Sequence, residues 1–431
     1  MTSTPWRGLG RGPWKSTAVA PQSPPTEQER ADNGLPPTLR PVPGEGVLQR
    51  PVFDPALAEH RMGMRLSEPH FEDARLAAAW SAARRTAMSV VLAAIADSPW
   101  HDELMLRGSV LLRAWFGDVA REPGDVDFIV LPQDWEFHSD RTDAFLADIA
   151  ARVAAAADGS PTVRIRAEDA VDDDIWTYDR VPGRRLVLPW TAVDPHIPSG
   201  TVQLDFVFNE APQQPPRWTD IPLAGTDGPA ARLLAATPEL SLAWKLLWLS
   251  EDRYPEGKDL YDAVLLAERC RPAPELLATV SPEAWFARLP ALGLDAEWEE
   301  FVKDRPDLAD QVDSLAWRLT VALAPAYPQD QHSFCGEVDR WVAGTRARAD
   351  NSRDIPQDLP VEDRIERVSG SLTVYRLLAV RDAYDCSLSR AADRILAARL
   401  RNSDVPGIAA RVDPHAVAEV LQRWCDSPKG E

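Results

Sequence analysis

The sequence predicts an α+β fold, in which a sheet-containing domain with flanking helices is followed by a C-terminal helical bundle. Up to about residue 228, short strand-like runs alternate with helical segments. Beyond that residue, strand signals almost disappear and the apolar residues recur with helical spacing. Elements in this order are typical of a layered α+β domain joined to a helical bundle.

The chain is predicted to begin with a disordered tail, because residues 1–55 carry eleven prolines and few long aliphatic side chains. The sheet-containing domain is predicted at 56–228 and a helical domain at 229–350. A C-terminal helical region follows at 351–431 and begins with the linker-like stretch NSRDIPQDLP. At 431 residues the chain is long enough for more than one folded domain.

Each predicted element of the first domain rests on a local pattern. A helix is predicted over 71–97, where large apolar residues fall on one stripe before a Ser-Pro break. An alanine-rich helix is predicted at about 143–157. Runs of β-branched and aliphatic residues predict strands at 103–107, 126–131, 162–167, 185–193 and 201–209.

Composition excludes several classes of protein. The formal net charge of −20 argues against a broad nucleic-acid-binding surface, which needs clustered Lys and Arg. The four cysteines are scattered without CxxC spacing, so neither a disulfide framework nor a structural zinc site is predicted. We expect a cytoplasmic protein without a membrane span, because no signal peptide and no apolar run of about 20 residues occurs.

The motif that calls for a ligand is the pair Asp125 and Asp127, at the start of a hydrophobic run. Alternate residues of a strand share a face, so the two carboxylates should lie a few ångströms apart and repel each other unless a cation lies between them. Carboxylate oxygens suit Mg²⁺, which completes its shell with water and phosphate. An acidic turn followed by a solvent-facing aspartate is the alternative interpretation.

Two further features lie in the same domain. Gly108 and Ser109 stand between a predicted strand and a helix, where a phosphate could approach the backbone, although a turn with a Ser cap has the same pattern. Asp205 interrupts the alternating run TVQLDFVF and either meets the same cation or faces solvent on an edge strand.

In the helical half, Lys245 lies near the apolar seam of its helix, and Asp259 and Asp262 follow at the start of the next helix. A lysine at such a position needs an anionic partner, and we expect Asp259 or Asp262 to be that partner at rest. A snorkelling surface lysine and a capped helix start are the alternatives. If Lys245 acts in catalysis, its replacement by Ala is expected to leave stability nearly unchanged and to lower turnover by about 100-fold or more.

In this order, the motifs resemble the nucleotidyltransferase superfamily and, within it, the AbiEii/AbiGii-type toxin nucleotidyltransferases. The resemblance covers roughly residues 70–270 and rests on the Gly-Ser turn, the D-x-D strand, the third acidic strand, the lysine and the sequence KDLYD. It implies a small mixed sheet with flanking helices. It also implies transfer of NMP from an NTP such as ATP or CTP to an acceptor hydroxyl, with a tRNA 3′ end favoured, and a cognate antitoxin partner.

The resemblance assigns a role to each candidate. Asp125, Asp127 and Asp205 would hold two Mg²⁺ ions, and Asp205 would help to deprotonate the acceptor. The nucleotide would be bound by Gly108, Ser109, Lys245 and Asp262, while Asp259 would support Lys245 or the acceptor. Basic candidates for contacting the acceptor are Arg84, Arg85, Arg184, Arg185, Arg394, Arg399 and Arg401.

Two other functions remain open. One is a binding module that kept the fold and lost the chemistry, although the three aspartates speak against it. The other is a nucleotidyltransferase that modifies a small molecule such as an aminoglycoside, because an acidic surface suits a cationic acceptor.

Overall fold

The computed structural model describes the chain in segments separated by short gaps. The described residues are 5–10, 12, 14–15, 17–177, 181–224, 230–251, 255–280, 298–308, 312–323, 326, 331–368, 371–403, 405 and 413–426. They divide into two compact units, Met1–Thr237 and Pro238–Glu431. No helix in these segments is both long and apolar enough to cross a membrane.

The first unit is built on a mixed sheet, which confirms the predicted fold class. Its described strands are β1 Val47–Leu48, β2 Pro51–Phe53, β3 Met64–Leu66, β4 His70–Phe71, β5 Leu104–Arg107, β6 Val126–Val130, β7 Val163–Ile165, β8 Val171–Thr177, β9 Val181–Ala192, β10 Gly200–Val207, β11 Arg217–Ile221 and β12 Ala231–Ala235. The main sheet has the order β11-β12-β5-β6-β10-β9-β7, and β8 also pairs with β9. Within it, β6 with β10 and β12 with β5 are parallel, while the other pairs are antiparallel.

All five predicted strands are confirmed, and the sheet is broader than those five runs indicated. β8 was not predicted because Asp172, Asp173 and Asp174 interrupt its apolar pattern. The contacts of these acids supply a reason that it forms: Arg184 of β9 pairs with Asp172 and Asp174, and Asp173 pairs with His60. Opposite charges that face each other across a strand pair stabilise the sheet.

The domain boundary falls at Thr237, somewhat beyond the predicted end at 228. The difference is β12, which pairs with β11 and β5 and so belongs to the sheet of the first unit.

Three of the five described α-helices of the first unit begin at side-chain caps. The five helices are α1 Trp6–Leu9, α2 Glu27–Asn33, α3 Ala74–Ala96, α4 Ser109–Phe116 and α5 Asp140–Asp158. The capped ones are α2, α3 and α5. Asp73 caps α3 through the backbone N–H of Arg75, and Ser139 caps α5 through that of Thr142. α3 and α5 therefore confirm the two predicted helices, with starts set by these caps.

The core of the first unit is continuous beneath the two central strands. Phe128 of β6 and Phe206 of β10 are neighbours in the register and stack with ring centroids 5.6 Å apart. Phe145 of α5 meets the Phe206 ring edge-on at 4.9 Å. One face of these strands is thus fixed against α5 by aromatic packing.

The N-terminal segment differs from the expected disordered tail. Residues of 1–55 and of the following turn form a common core: Trp6, Leu9, Ala20, Leu35, Leu39, Met62 and Met64. Thr26 and Glu29 form a capping box on α2, and β2 pairs with β3. Disorder was predicted from the high proline content and the small number of aliphatic residues. The prediction was wrong here because the few apolar residues, although far apart in sequence, pack together with Met62 and Met64.

The second unit confirms the predicted helical half, since its described residues contain helices and no strand. These helices are α6 Pro238–Glu251, α7 Gly257–Ala267, α8 Pro274–Val280, α9 Trp298–Asp304, α10 Val312–Leu323, α11 Gln331–Asn351, α12 Val361–Arg367, α13 Thr373–Tyr384, α14 Leu388–Arg401 and α15 Pro414–Asp426. The linker-like stretch 351–360 lies between α11 and α12. The predicted division at residue 350 stays a prediction, because the second unit spans Pro238–Glu431 without a boundary there.

The packed N-terminal segment gives a test. Trp6→Ala removes a buried indole and should destabilise the segment by about 3–5 kcal/mol, while Arg7→Ala, at an exposed neighbour, should change little. Limited proteolysis should then cleave residues 1–60 faster in Trp6→Ala than in wild type. Equal cleavage of all three proteins would show that the segment does not pack.

Candidate active site

The three predicted acidic residues converge at the junction of two parallel strands. Asp125 immediately precedes β6, Asp127 lies within it, and Asp205 of β10 is the register partner of Asp127. One carboxylate oxygen from each residue lies within 4.8 Å of the other two. In the described part of the chain, no other group of three or more His, Cys, Asp or Glu residues could hold a metal ion in this way.

Asp205 is the most deeply buried of the three acids, with 7% of its surface exposed. Arg185 donates from Nε to Asp205 Oδ1 and from Nη2 to Oδ2, both at 2.9 Å. Burial raises the pKa of the Asp205 carboxyl; Arg185 opposes this shift, and the negative charge of Asp125 adds to it. A divalent cation between the carboxylates would remove this penalty on the charged form.

The donor set fits a hard divalent cation. Each of the three residues offers a carboxylate oxygen, the ligand that Mg²⁺ prefers, and Asp125 and Asp127 are only partly buried. Partial exposure leaves room for the water and phosphate oxygens that usually complete a magnesium shell. The residues therefore fit the ion that the sequence motif predicts.

The Gly-Ser turn lies directly beside this cluster. Gly108 follows β5 and has a φ of 82°, a conformation that favours glycine. A Cβ at this position would collide with Oδ2 of Asp127, so only glycine lets the turn approach the acid. Ser109 begins α4 and is buried, and its hydroxyl has no hydrogen-bond partner among the described residues. A buried hydroxyl at a helix N-terminus suits a phosphate oxygen.

Lys245, Asp259 and Asp262 form a separate cluster inside the second unit. Lys245 Nζ lies 2.7 Å from Asp259 Oδ1 and 3.1 Å from Asp262 Oδ2, and 4.6 Å from the centre of the Trp248 ring. All three charged side chains are buried, Asp262 completely. The prediction that Asp259 or Asp262 is the resting partner of Lys245 is confirmed, and both acids contribute.

The arginines expected to contact an acceptor all have carboxylate partners. Arg184 and Arg185 are buried, and Arg184 pairs with Asp172, Asp174 and Asp143. The other pairs are Arg84 with Glu68, Arg85 with Glu122, Arg394 with Glu362, Arg399 with Glu366 and Arg401 with Asp363. The expectation was wrong for Arg184, Arg185 and Arg399, which are buried within the fold.

Sequence reasoning missed the environment of Asp205. Arg185 Nη1 also donates to Asp54 Oδ2 at 2.7 Å. Asp54 and Arg185 are 131 residues apart in the chain, so no local pattern joins them. The register between β9 and β10 places Arg185 opposite Asp205, so knowledge of that register would have revealed the contact of Arg185 with Asp205 but not its contact with Asp54.

A family match gives the class of this protein, a nucleotidyltransferase. Residues 90–325 match the family model described as "Nucleotidyl transferase AbiEii toxin, Type IV TA system", which is more than half of the 431 residues. The chain belongs to this family, as its motifs predicted. The match includes every predicted catalytic, nucleotide-binding and metal-binding residue, and it leaves out the N-terminal segment that contains Asp54.

A solved structure similar to this chain is MenT4, a nucleotidyltransferase toxin from Mycobacterium tuberculosis H37Rv. The two chains are 16% identical, the similarity covers 80% of this chain and 93% of MenT4, and the TM-score is 0.29. These values are too low to transfer residue roles. No curated protein matches the chain.

The role of Gly108 can be tested by comparing it with Gly117, because these two glycines flank the two ends of α4. Gly108→Ala should lower Mn²⁺ affinity by about 10–100-fold, because its Cβ displaces the Asp127 carboxylate. Gly117, at the other end of α4, also has a positive φ, but a Cβ there would meet nothing within 4 Å. Gly117→Ala should therefore bind Mn²⁺ as wild type does in a calorimetric titration. Equal affinity of the two variants would contradict the close approach.

The Lys245 cluster revises the expected effect on stability. Lys245→Ala leaves Asp259 and Asp262 buried without their cation, which should cost about 3–5 kcal/mol in the free energy of unfolding. Lys258 pairs with Glu256 at 2.7 Å in the same unit, but both side chains are about one third exposed. Lys258→Ala should therefore cost at most about 1 kcal/mol in urea denaturation. Similar small costs for both would restore the original expectation.

Proposed function

We propose that this protein transfers an NMP group from an NTP to an acceptor hydroxyl and releases pyrophosphate, in a reaction that depends on Mg²⁺. The observation that carries the proposal is the convergence of Asp125, Asp127 and Asp205 beside the Gly-Ser turn. Membership of the nucleotidyltransferase family supports the reaction class.

Asp125, Asp127 and Asp205 would hold two Mg²⁺ ions, which when bound neutralise the triphosphate and the charge that develops as pyrophosphate leaves. In the reaction, the acceptor oxygen forms a bond to the α-phosphorus while the bond from that phosphorus to the pyrophosphate oxygen breaks. We assign to Asp205 the removal of the acceptor proton, as the family resemblance implies, because its carboxylate lies within 4.8 Å of those of Asp125 and Asp127.

The remaining candidates bind and orient the nucleotide. The Ser109 hydroxyl would donate to a phosphate oxygen, and Gly108 would let that phosphate reach the backbone N–H groups at the start of α4. Lys245 would supply a fixed positive charge, with Asp259 and Asp262 fixing its position. Catalysis of this kind rests on positioning and electrostatic stabilisation, with no covalent enzyme intermediate.

For the acceptor we favour a tRNA 3′ end in the cytoplasm, as the family resemblance implies, with growth arrest as the outcome and a cognate antitoxin as partner. A cationic small molecule is the second candidate. It is favoured by the net charge of −20 and by the pairing of the predicted acceptor arginines with carboxylates. Long-range attraction would bring a cationic acceptor to such a surface and repel a polyanion.

One experiment separates these acceptors. The purified protein is incubated with Mg²⁺ and each of the four α-³²P-labelled NTPs, together with either bulk tRNA or an aminoglycoside. Label that appears on tRNA, and is lost after removal of the 3′-terminal nucleotide, supports the tRNA acceptor. Label on the aminoglycoside supports the second candidate, and no labelled product under either condition contradicts both.

The carboxylate cluster predicts opposite effects on activity and stability. Asp125→Asn and Asp127→Asn should each lower turnover by at least about 100-fold, because a charged ligand of the cation is lost. Without metal, the thermal midpoint should stay the same or rise, since each substitution relieves repulsion between the acids. Asp118→Asn, at an exposed acid of the same unit, is the control and should keep wild-type turnover. Normal turnover of either cluster variant, with folding checked by circular dichroism, would refute the site.

A further inference from the structure

One buried guanidinium joins the carboxylate cluster to the N-terminal segment. Arg185 uses Nε and Nη2 for the two oxygens of Asp205, and uses Nη1 for Asp54 Oδ2. Asp54 and Arg185 are 6% and 4% exposed, so water does not compete for these hydrogen bonds. A planar guanidinium that donates to both oxygens fixes the plane of a carboxylate as well as its distance.

The two acids of this trio have different surroundings. Arg185 pairs with both Asp54 and Asp205, and Asp54 also lies in the field of the positive charge of Arg65. Asp205 instead shares the carboxylate cluster with Asp125 and Asp127. Arg185 thus connects an acid of the N-terminal segment to an acid of the carboxylate cluster.

Asp54 is itself held firmly by the segment that carries it. It follows β2 and caps the short 3-10 turn Pro55–Leu57, because its Oδ1 accepts from the N–H of Ala56 at 3.1 Å. Its own N–H donates to the carbonyl of Gly63 at 3.0 Å, next to β3. Oδ1 therefore fixes Asp54 within the N-terminal segment, while Oδ2 reaches Arg185.

From these contacts we infer that Arg185 is a positioning residue for Asp205, and that Asp54 holds Arg185 in place for this purpose. The segment ahead of the family match then forms part of the support of the catalytic centre. The inference rests on the proposed function, because it gives Asp205 the role of a cation ligand. Neighbours that orient metal ligands typically change metal affinity by 10–100-fold when replaced.

The first test replaces the Asp54 charge and keeps its shape. Asp54→Asn can still cap the turn, since Asn is as good a cap as Asp, but it no longer holds Arg185 by charge. Asp73→Asn is the matched control, because Asp73 also lies ahead of the family match. Like Asp54, it caps a helical turn by accepting from the backbone N–H two residues later in the chain, here that of Arg75. Mn²⁺ affinity is measured by titration without nucleotide, and thermal unfolding is recorded for each protein.

We expect Asp54→Asn to weaken Mn²⁺ binding by about 10-fold or more and Asp73→Asn to leave it unchanged. Wild-type affinity in a folded Asp54→Asn would overturn the inference, and so would a wild-type protein that binds no Mn²⁺. If Mn²⁺ binding responds as expected but no NMP transfer is found for wild type, the proposed function fails while the positioning role stands.

A second variant covers the case in which Asp54→Asn does not fold. Arg185→Lys keeps the buried positive charge but lacks the planar fork that binds both oxygens of Asp205. We expect it to remain folded and to lose Mn²⁺ affinity and turnover together, each by about 10-fold or more. Retention of normal Mn²⁺ affinity would show that charge alone suffices, and the positioning role of Arg185 would then be wrong.

Discussion

The site depends on the parallel register of β6 and β10. Side chains alternate along a strand, so the stacking of Phe128 on Phe206 against α5 forces Asp127 and Asp205 together on the opposite face. A slip by one residue would turn a carboxylate into the aromatic core. The burial of apolar surface on one face therefore holds like charges together on the other, against their repulsion, and a cation bound between them would offset that repulsion.

Sequence reasoning succeeded where the signal was local. The D-x-D pair, the Gly-Ser turn and the lone Asp205 could be found because strand alternation and turn chemistry depend on neighbouring residues. It failed for β8 and for the N-terminal segment, whose stability comes from partners far along the chain. Asp172 and Asp174 of β8 are acceptable in a strand because Arg184 of β9 pairs with both, and that pairing depends on a register that the sequence does not display.

The Lys245 cluster shows a related limit of sequence reasoning. Helical periodicity indicated that Lys245 lies near an apolar seam, and the need for an anionic partner followed correctly. The depth of burial did not follow, because it depends on how α6 and α7 pack, and Asp262 is completely buried. Burial changes the energetic consequence: an exposed lysine can be removed at little cost, whereas a buried one leaves two carboxylates without compensation.

The charges of the chain would act differently on the nucleotide and on the acceptor of the proposed reaction. In the proposed reaction, Asp125, Asp127 and Asp205 would attract divalent cations, and a nucleoside triphosphate that carries Mg²⁺ would bring its own neutralising charge to them. The acceptor has no such compensation, and a polyanion would meet the field of a chain with a net charge of −20. Arg184 and Arg185 form ion pairs with acids inside the first unit, so they stabilise that unit and do not attract phosphate groups. An acceptor in the proposed reaction would therefore have either to find a local basic surface or to be cationic itself.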